Sequence, residues 1–76
     1  MKQGISFDRA LEVFFDPFHE LLDASVPEER RNAAIGMDLS RRMLFVVHLE
    51  TEGVNTRIIS AREANGWERR IYEESQ

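Results

Sequence analysis

The stretch 43-MLFVVHL-49 is apolar at nearly every position, so both of its faces need cover. A run of this length with β-branched and aromatic residues is typical of a strand in the middle of a sheet. Residues 31–37 before it and 56–61 after it also have strand character. The polar segments 38–40 and 52–55 predict a turn and a hairpin connection between these strands. Because both connections are too short for a parallel crossover, we expect antiparallel pairing.

A helix is predicted before the sheet. Ser6 is a suitable N-cap for a helix that begins at Phe7, and Asp16-Pro17 ends it because the residue before proline avoids the α region. Apolar residues at helical spacing predict one buried face, made of Phe7, Ala10, Leu11, Phe14 and Phe15. Residues 18–23 follow as a weak first strand.

A second helix is predicted after the last strand, from about Glu63. Ala64, Trp67 and Ile71 are spaced to form its buried stripe. On this interpretation Gly66 lies inside the helix and weakens it by roughly 1 kcal/mol relative to alanine.

These elements predict one α+β domain over residues 1–76, with an antiparallel meander of three to four strands flanked by an N-terminal and a C-terminal helix. A chain of 76 residues is long enough for one small core, and without cysteine no disulfide supports it. Neither a secretory signal nor a membrane-spanning run is visible, so we expect a cytoplasmic protein without membrane contact. His19 and His48 are isolated, which predicts no metal site and no cofactor.

The charge of the chain limits the ligands it can bind. A net charge of −4 argues against a general nucleic-acid-binding protein. Nine of the ten basic residues are arginine, however, and residues 57–76 balance four arginines against four glutamates. Because arginine binds phosphate and carboxylate groups with two parallel hydrogen bonds, this segment is the best place for a binding site.

Four side chains are candidates for one catalytic site. Strand alternation puts Ile58, Ser60 and Arg62 on one face, Glu68 and Tyr72 lie on the following helix, and His48 points from the neighbouring strand. A guanidinium, a carboxylate, a phenol and an imidazole suffice for RNA cleavage without a metal. Each also has an ordinary structural explanation: a hydrogen-bonded histidine, a packed tyrosine, and an ion pair between strand and helix.

Four segments resemble the BrnT family of toxins: GISFDRALEVFFDP, IGMD, RRMLFVVHLE and RIISAREANGWERRIYEE. The resemblance implies a RelE-like fold and a bacterial ribonuclease toxin of a type II toxin–antitoxin pair. It further implies an RNA substrate, a ribbon-helix-helix antitoxin, and DNA contact only through that antitoxin. It assigns Arg62, Glu68, Arg69 and Tyr72 to the closing motif of the family, and Lys2 to an N-terminal motif. Arg57 and Arg70 join Lys2 and Arg69 as RNA- or antitoxin-binding candidates.

The resemblance is incomplete at the N-terminus. Members of the family usually begin with a further strand and helix, of which only Lys2-Gln3-Gly4 has a counterpart here. Loss of that strand leaves a sheet edge open, which predicts a homodimer or a tight antitoxin complex. Three functions therefore stay open: a metal-independent endoribonuclease, a shortened homologue that binds an antitoxin without cutting RNA, and a plain interaction domain.

Overall fold

The computed structural model describes residues 5–49 and 57–75. The elements in chain order are α1 (Phe7–Glu12), a 3₁₀ turn (Val13–Phe15), β1 (Glu20–Asp23), β2 (Arg31–Met37), β3 (Met43–Leu49), β4 (Arg57–Glu63) and α2 (Gly66–Glu74). The strands form one antiparallel sheet in the order β1-β2-β3-β4. The predicted meander with a helix before and after it is confirmed. The predicted hairpin connection at residues 52–55 and the N-terminal Lys2 lie outside the described residues.

The strand boundaries follow from local hydrogen bonds. β2 and β3 have the predicted bounds. β1 begins at Glu20, later than predicted, because the amide of Phe18 is held in a turn by Asp16 Oδ1 at 2.9 Å. β4 continues past the predicted end at Ala61 because residues up to Glu63 still pair with β3.

The helices pack on opposite faces of the sheet, which we call the α1 face and the α2 face. The core of the α1 face comprises Ile5, Ala10, Val13, Ala34, Leu44, Val46 and Ala61, with Phe14 and Ile58 against it. The core of the α2 face comprises Ile35, Met43 and Tyr72, with Leu22, Met37, Phe45, Ala64 and Ile71 against it. Each side of the sheet therefore carries one helix, and each helix has its own small core.

The predicted inward face of α1 is wrong in part. Ala10 is buried and Phe14 packs on the core, but Phe7, Leu11 and Phe15 are exposed. The helix tightens into a 3₁₀ turn after Glu12, which changes the angle between successive side chains and carries Val13 into the core.

The predicted start and stripe of α2 are also wrong in part. Asn65 is the N-cap, so the helix begins at Gly66 and this glycine occupies the first position, not the interior. Trp67 is 66% exposed, whereas its neighbour Glu68 is 4% exposed. Ala64 and Ile71 pack against the α2 face as expected. Burial of Glu68 is possible because its charge and its lone pairs are satisfied, as described below.

A β-bulge interrupts the pairing of β3 with β4. Val47 pairs with Ser60 and His48 pairs with Ile58, so Ile59 is an extra residue in β4. Ile58 therefore points to the α1 face, while Ser60 and Arg62 point to the α2 face. The prediction that these three side chains share one face is wrong for Ile58, because simple alternation does not hold across a bulge.

Candidate functional site

Part of the α2 face extends beyond the cover of α2, and we call it the open sheet face. Its residues neighbour one another by strand register: Phe45 pairs with Arg62, Val47 pairs with Ser60, and Leu49 lies between Arg31 and Arg57. The β4 residues are exposed and the β2 and β3 residues are half-buried. The surface thus has an apolar floor with arginines at both ends.

The bulge explains why two of these arginines share a face. Arg57 and Arg62 are an odd number of positions apart, so in a regular strand their side chains would point to opposite sides of the sheet. Because Ile59 is an extra residue that does not count in the alternation, Arg57 and Arg62 point to the same side. Arg57 consequently faces the same side as Arg62, although strict alternation predicts otherwise.

Arg62 and Glu68 form a bidentate ion pair that joins β4 to α2. Arg62 Nη1 donates to Glu68 Oε1 at 2.9 Å, and Arg62 Nη2 donates to Glu68 Oε2 at 2.8 Å. Glu68 Oε1 also accepts the amide of Asn65 at 2.9 Å, while Asn65 Oδ1 accepts the amide of Glu68, which completes a capping box. The carboxylate is thereby fixed by three hydrogen bonds.

The guanidinium of Arg62 is held on a second side by an aromatic ring. Its Cζ lies 4.6 Å from the centroid of Phe45, at the distance of a cation–π contact. The hydrogen bonds from Arg62 to Glu68 raise the pKa of Arg62, the charge of Glu68 adds to this, and burial opposes it. The side chain is still 52% exposed. The site therefore presents an oriented guanidinium to solvent at the open sheet face, and its partner carboxylate is buried.

Tyr72 links α2 to the end of the 3₁₀ turn by a hydrogen bond. Its hydroxyl donates to Asp16 Oδ2 at 2.6 Å, and the amide of Met37 donates to the same oxygen at 2.9 Å. Burial raises the pKa of Asp16, but the hydrogen bonds from Tyr72, Met37 and Phe18 outweigh it, so the pKa lies below the usual 3.8. Tyr72 itself is buried, at 6% exposure.

Both histidines lie on the α1 face. His48 is buried and its ring meets the ring of Phe14 edge to face at 5.1 Å between centroids. The ring of His19 also packs edge to face on Phe14, with 5.8 Å between centroids. Its Nδ1 lies 2.8 Å from the carbonyl oxygen of Asp16. The structure thus places the Arg62–Glu68 pair and the Tyr72–Asp16 hydrogen bond on the α2 side but leaves His48 across the sheet. The predicted convergence of all four is wrong for His48.

The remaining predicted arginines are spread along the α2 side. Arg57 is exposed at the start of β4, and Arg69 and Arg70 are exposed on α2. Glu73 of the same helix is also exposed. Arg57, Arg69 and Arg70 are therefore accessible to a partner.

A family comparison adds to this geometry. The model of the ribonuclease toxin BrnT, of type II toxin–antitoxin systems, matches residues 1–68. The chain belongs to the BrnT family. The resemblance seen in the sequence is thereby confirmed, and a BrnT toxin has an antitoxin partner and an RNA target. No curated protein matches the chain in sequence.

The region matched to BrnT includes Arg57 and the Arg62–Glu68 pair, whereas Tyr72 lies beyond it. Neither helix that the structure describes is long and apolar enough to cross a membrane. Within residues 5–49 and 57–75, no three histidine or acidic side chains are grouped closely enough to bind a metal ion.

Sequence reasoning missed three residues that build this site. The sequence pattern predicts Asp16 only as the end of a helix, although an aspartate before proline commonly accepts backbone amides in a turn. Asn65 begins the pattern Asn-x-x-Glu, which is a sequence signal for a capping box that includes Glu68. The apolar run predicts a central strand that includes Phe45, and no sequence signal places its ring beneath Arg62.

Proposed function

We propose that this member of the BrnT family is a metal-independent endoribonuclease that binds the scissile phosphate of RNA at Arg62. The observation that carries the proposal is the state of the Arg62 guanidinium: it is fixed by Glu68 and Phe45 while about half of the side chain faces solvent. Glu68 accepts from both Nη atoms, and Nη1 also donates to the carbonyl oxygen of Glu63 at 3.2 Å. The Nε–H and the second N–H of Nη2 remain as a rigid fork, which suits a phosphate group better than a mobile ammonium does.

Arg62 acts on the charge that develops during cleavage. The 2′-oxygen of the RNA bonds to the adjacent phosphorus, the bond from phosphorus to the 5′-oxygen breaks, and a cyclic phosphate and a 5′-hydroxyl result. Negative charge increases on the phosphorane oxygens, so a preorganised guanidinium stabilises the transition state more than the bound substrate.

Glu68 and Tyr72 are positioning residues in this proposal. Both oxygens of Glu68 already accept hydrogen bonds, and the Tyr72 hydroxyl is committed to Asp16. Glu68 therefore orients Arg62, and Tyr72 holds α2 in place through Asp16. Water accepts the proton of the 2′-hydroxyl and returns a proton to the 5′-oxygen.

We also propose the partner and setting of this activity. The antitoxin carries a ribbon-helix-helix domain, supplies any contact to DNA, and neutralises the toxin in the cytoplasm. Among the described strands, β1 and β4 are the sheet edges, which supports pairing with the antitoxin or with a second copy of the chain. Light scattering at micromolar concentration, with and without the antitoxin, tests this: a monomer that ignores the antitoxin would contradict it.

One observation favours a second function, that of an antitoxin-binding homologue that does not cut RNA. His48 lies across the sheet from Arg62, and Glu68 and Tyr72 are engaged in structural hydrogen bonds. An enzyme that relied on these groups as acid and base would lack them at the phosphate. Cleavage and antitoxin binding must therefore be measured separately.

The deciding experiment compares RNA cleavage by wild type, Arg62→Ala and Arg62→Lys in EDTA, each shown by circular dichroism to be folded. We expect wild type to cut RNA, Arg62→Ala to lose on the order of 100-fold or more in kcat/KM, and Arg62→Lys to recover only part of that loss because the fork is absent. Arg9→Gln is the matched control, since it removes the same charge from α1 on the other side of the sheet.

Three results would contradict the proposal. Activity that disappears with EDTA would exclude the metal-independent reaction. Equal activity in wild type and Arg62→Ala would exclude Arg62 from the phosphate site. Binding of the antitoxin without cleavage by any of the folded proteins would establish the second function instead.

A further inference from the structure

A second basic position lies at the far end of the open sheet face. Arg31, Leu49 and Arg57 stand side by side on β2, β3 and β4, because Leu49 pairs with both arginines. They line an open depression of about 480 Å³, together with Glu29, Ile58 and Ile59. Cross-strand neighbours point to the same side of a sheet, so Arg31, Leu49 and Arg57 face the side that presents Arg62. Arg57 and Ile58 also line a second depression, with Phe7 and Leu11, on the α1 side.

The charge of this depression favours an anion. Among the described residues, two arginines and one glutamate line it. Glu29 Oε1 accepts a hydrogen bond from Arg31 Nε at 2.6 Å, which orients Arg31 and offsets its charge. Arg57 is exposed and provides the net positive charge. Leu49 and Ile59 supply apolar surface beneath it.

The separation of Arg57 from Arg62 along the sheet indicates what kind of anion binds in the depression. Arg62 pairs with Phe45 and Arg57 pairs with Leu49, and the two β3 residues are four positions apart in an unbulged part of that strand. Four residues of strand span on the order of 13 Å. Successive phosphates of a stacked strand advance by only about 3.4 Å along the axis. A nucleic-acid strand of a few nucleotides spans this separation, so one strand can place one phosphate at Arg62 and another at Arg57.

We propose that Arg57, assisted by Arg31, forms a subsite for a second phosphate of the RNA strand whose scissile phosphate binds at Arg62. The intervening floor of Val47 and Ser60 then lies beneath the nucleotides between the two phosphates. This inference rests on the proposed function and adds a substrate preference: the protein acts on a strand that extends beyond the cleaved bond.

The test compares substrates that can and cannot reach the subsite. Cleavage of a dinucleoside monophosphate, which has one phosphate, is measured against cleavage of a single-stranded octanucleotide. We expect Arg57→Ala to lower kcat/KM for the octanucleotide several-fold and to leave the dinucleoside monophosphate unchanged. Glu29→Gln should raise kcat/KM for the octanucleotide, because it removes the opposing charge. Arg9→Gln serves as the control for loss of one positive charge.

Binding provides a readout that does not require cleavage. An octanucleotide with 2′-deoxy sugars cannot be cut, and its dissociation constant is measured by fluorescence anisotropy over a range of salt. Loss of one phosphate contact should reduce the slope of log affinity against log salt by about 0.7 for Arg57→Ala, and by nothing for Arg9→Gln.

The outcomes separate the subsite from the proposed function. If wild type binds the deoxy strand through Arg57 but cuts no RNA, the subsite stands and the cleavage proposal fails. If wild type cuts RNA and Arg57→Ala cuts both substrates as well as wild type does, the subsite is refuted and cleavage stands. An Arg57→Ala variant that binds the deoxy strand normally but loses antitoxin affinity would assign the depression to the antitoxin and overturn the inference.

Discussion

Glu68 is buried although it is charged, and the reason lies in its hydrogen bonds. Arg62 neutralises the carboxylate, and the amide of Asn65 occupies a further lone pair. Burial of an ion is tolerated when its partner and its hydrogen bonds are in place, and is costly when they are not. The adjacent Trp67 is left on the surface. Hydropathy alone would predict that Trp67 is buried and Glu68 exposed, which is the reverse of what the structure shows.

Trp67→Ala should change the free energy of unfolding by less than about 1 kcal/mol, because most of the indole is already exposed. Leu44→Ala, at a fully buried position, should lower it by about 2–5 kcal/mol. Urea denaturation of both variants measures the difference. A Trp67→Ala protein as unstable as Leu44→Ala would show that the indole is buried in solution.

Tyr72→Phe should destabilise the protein in a way that depends on pH. The variant loses a hydrogen bond to a charged group, worth about 1.5–3 kcal/mol at neutral pH. The pKa of Asp16 is lowered in the folded protein, so the stabilisation linked to it is present above the usual 3.8 and is lost as pH falls through the folded value. Urea denaturation at pH 7 and pH 3 should therefore show a smaller difference between wild type and Tyr72→Phe at pH 3. A difference that grew at pH 3 would contradict this linkage.

At the scale of elements, the helix ends are set by short-range chemistry and the helix faces are not. Ser6 and Asn65 both accept amides of the first turn, and both stand in a pattern that a sequence reveals. The strands β2 and β3 were likewise predictable from apolar runs between turn residues. The inward faces of the two helices could not be predicted in this way. The face of α1 depends on the 3₁₀ turn that follows it, and the face of α2 depends on the buried ion pair of Glu68. Both depend on contacts with other elements.

Two glycines give a matched test of how the elements pack. A Cβ added at Gly36 would lie 2.9 Å from Val13 Cγ1 and 3.0 Å from His19 Cβ, so β2 approaches the 3₁₀ turn too closely for a side chain. A Cβ at Gly66 would meet nothing within 4 Å. Gly36→Ala should lower the free energy of unfolding by about 1–3 kcal/mol, whereas Gly66→Ala should raise it by about 0.4–1 kcal/mol.

Thermal and urea denaturation of the two glycine variants check these signs. Equal effects in both proteins would contradict the close contact between β2 and the 3₁₀ turn.

For the whole molecule, the sheet separates two sets of polar side chains. The α1 face holds both histidines against Phe14, and the α2 face holds Arg62, Glu68 and the open sheet face. Composition and strand count fixed the class and the strand order of the fold, since short connections allow only a meander. They could not assign residues to faces, because one bulge reverses the alternation. Among the described residues, the open sheet face carries Arg31, Arg57 and Arg62, a grouping that the acidic total of the chain does not reveal.

The bulge also affects how relatives of this chain should be recognised. A chain without Ile59 would close the bulge into a regular ladder and keep every other β4 side chain on its present face. Two proteins could then present the same pair of arginines with different numbers of residues between them. A sequence signature with fixed spacing would find one protein and reject the other. A search for this arginine pair should therefore allow a gap of one residue at this point in the strand.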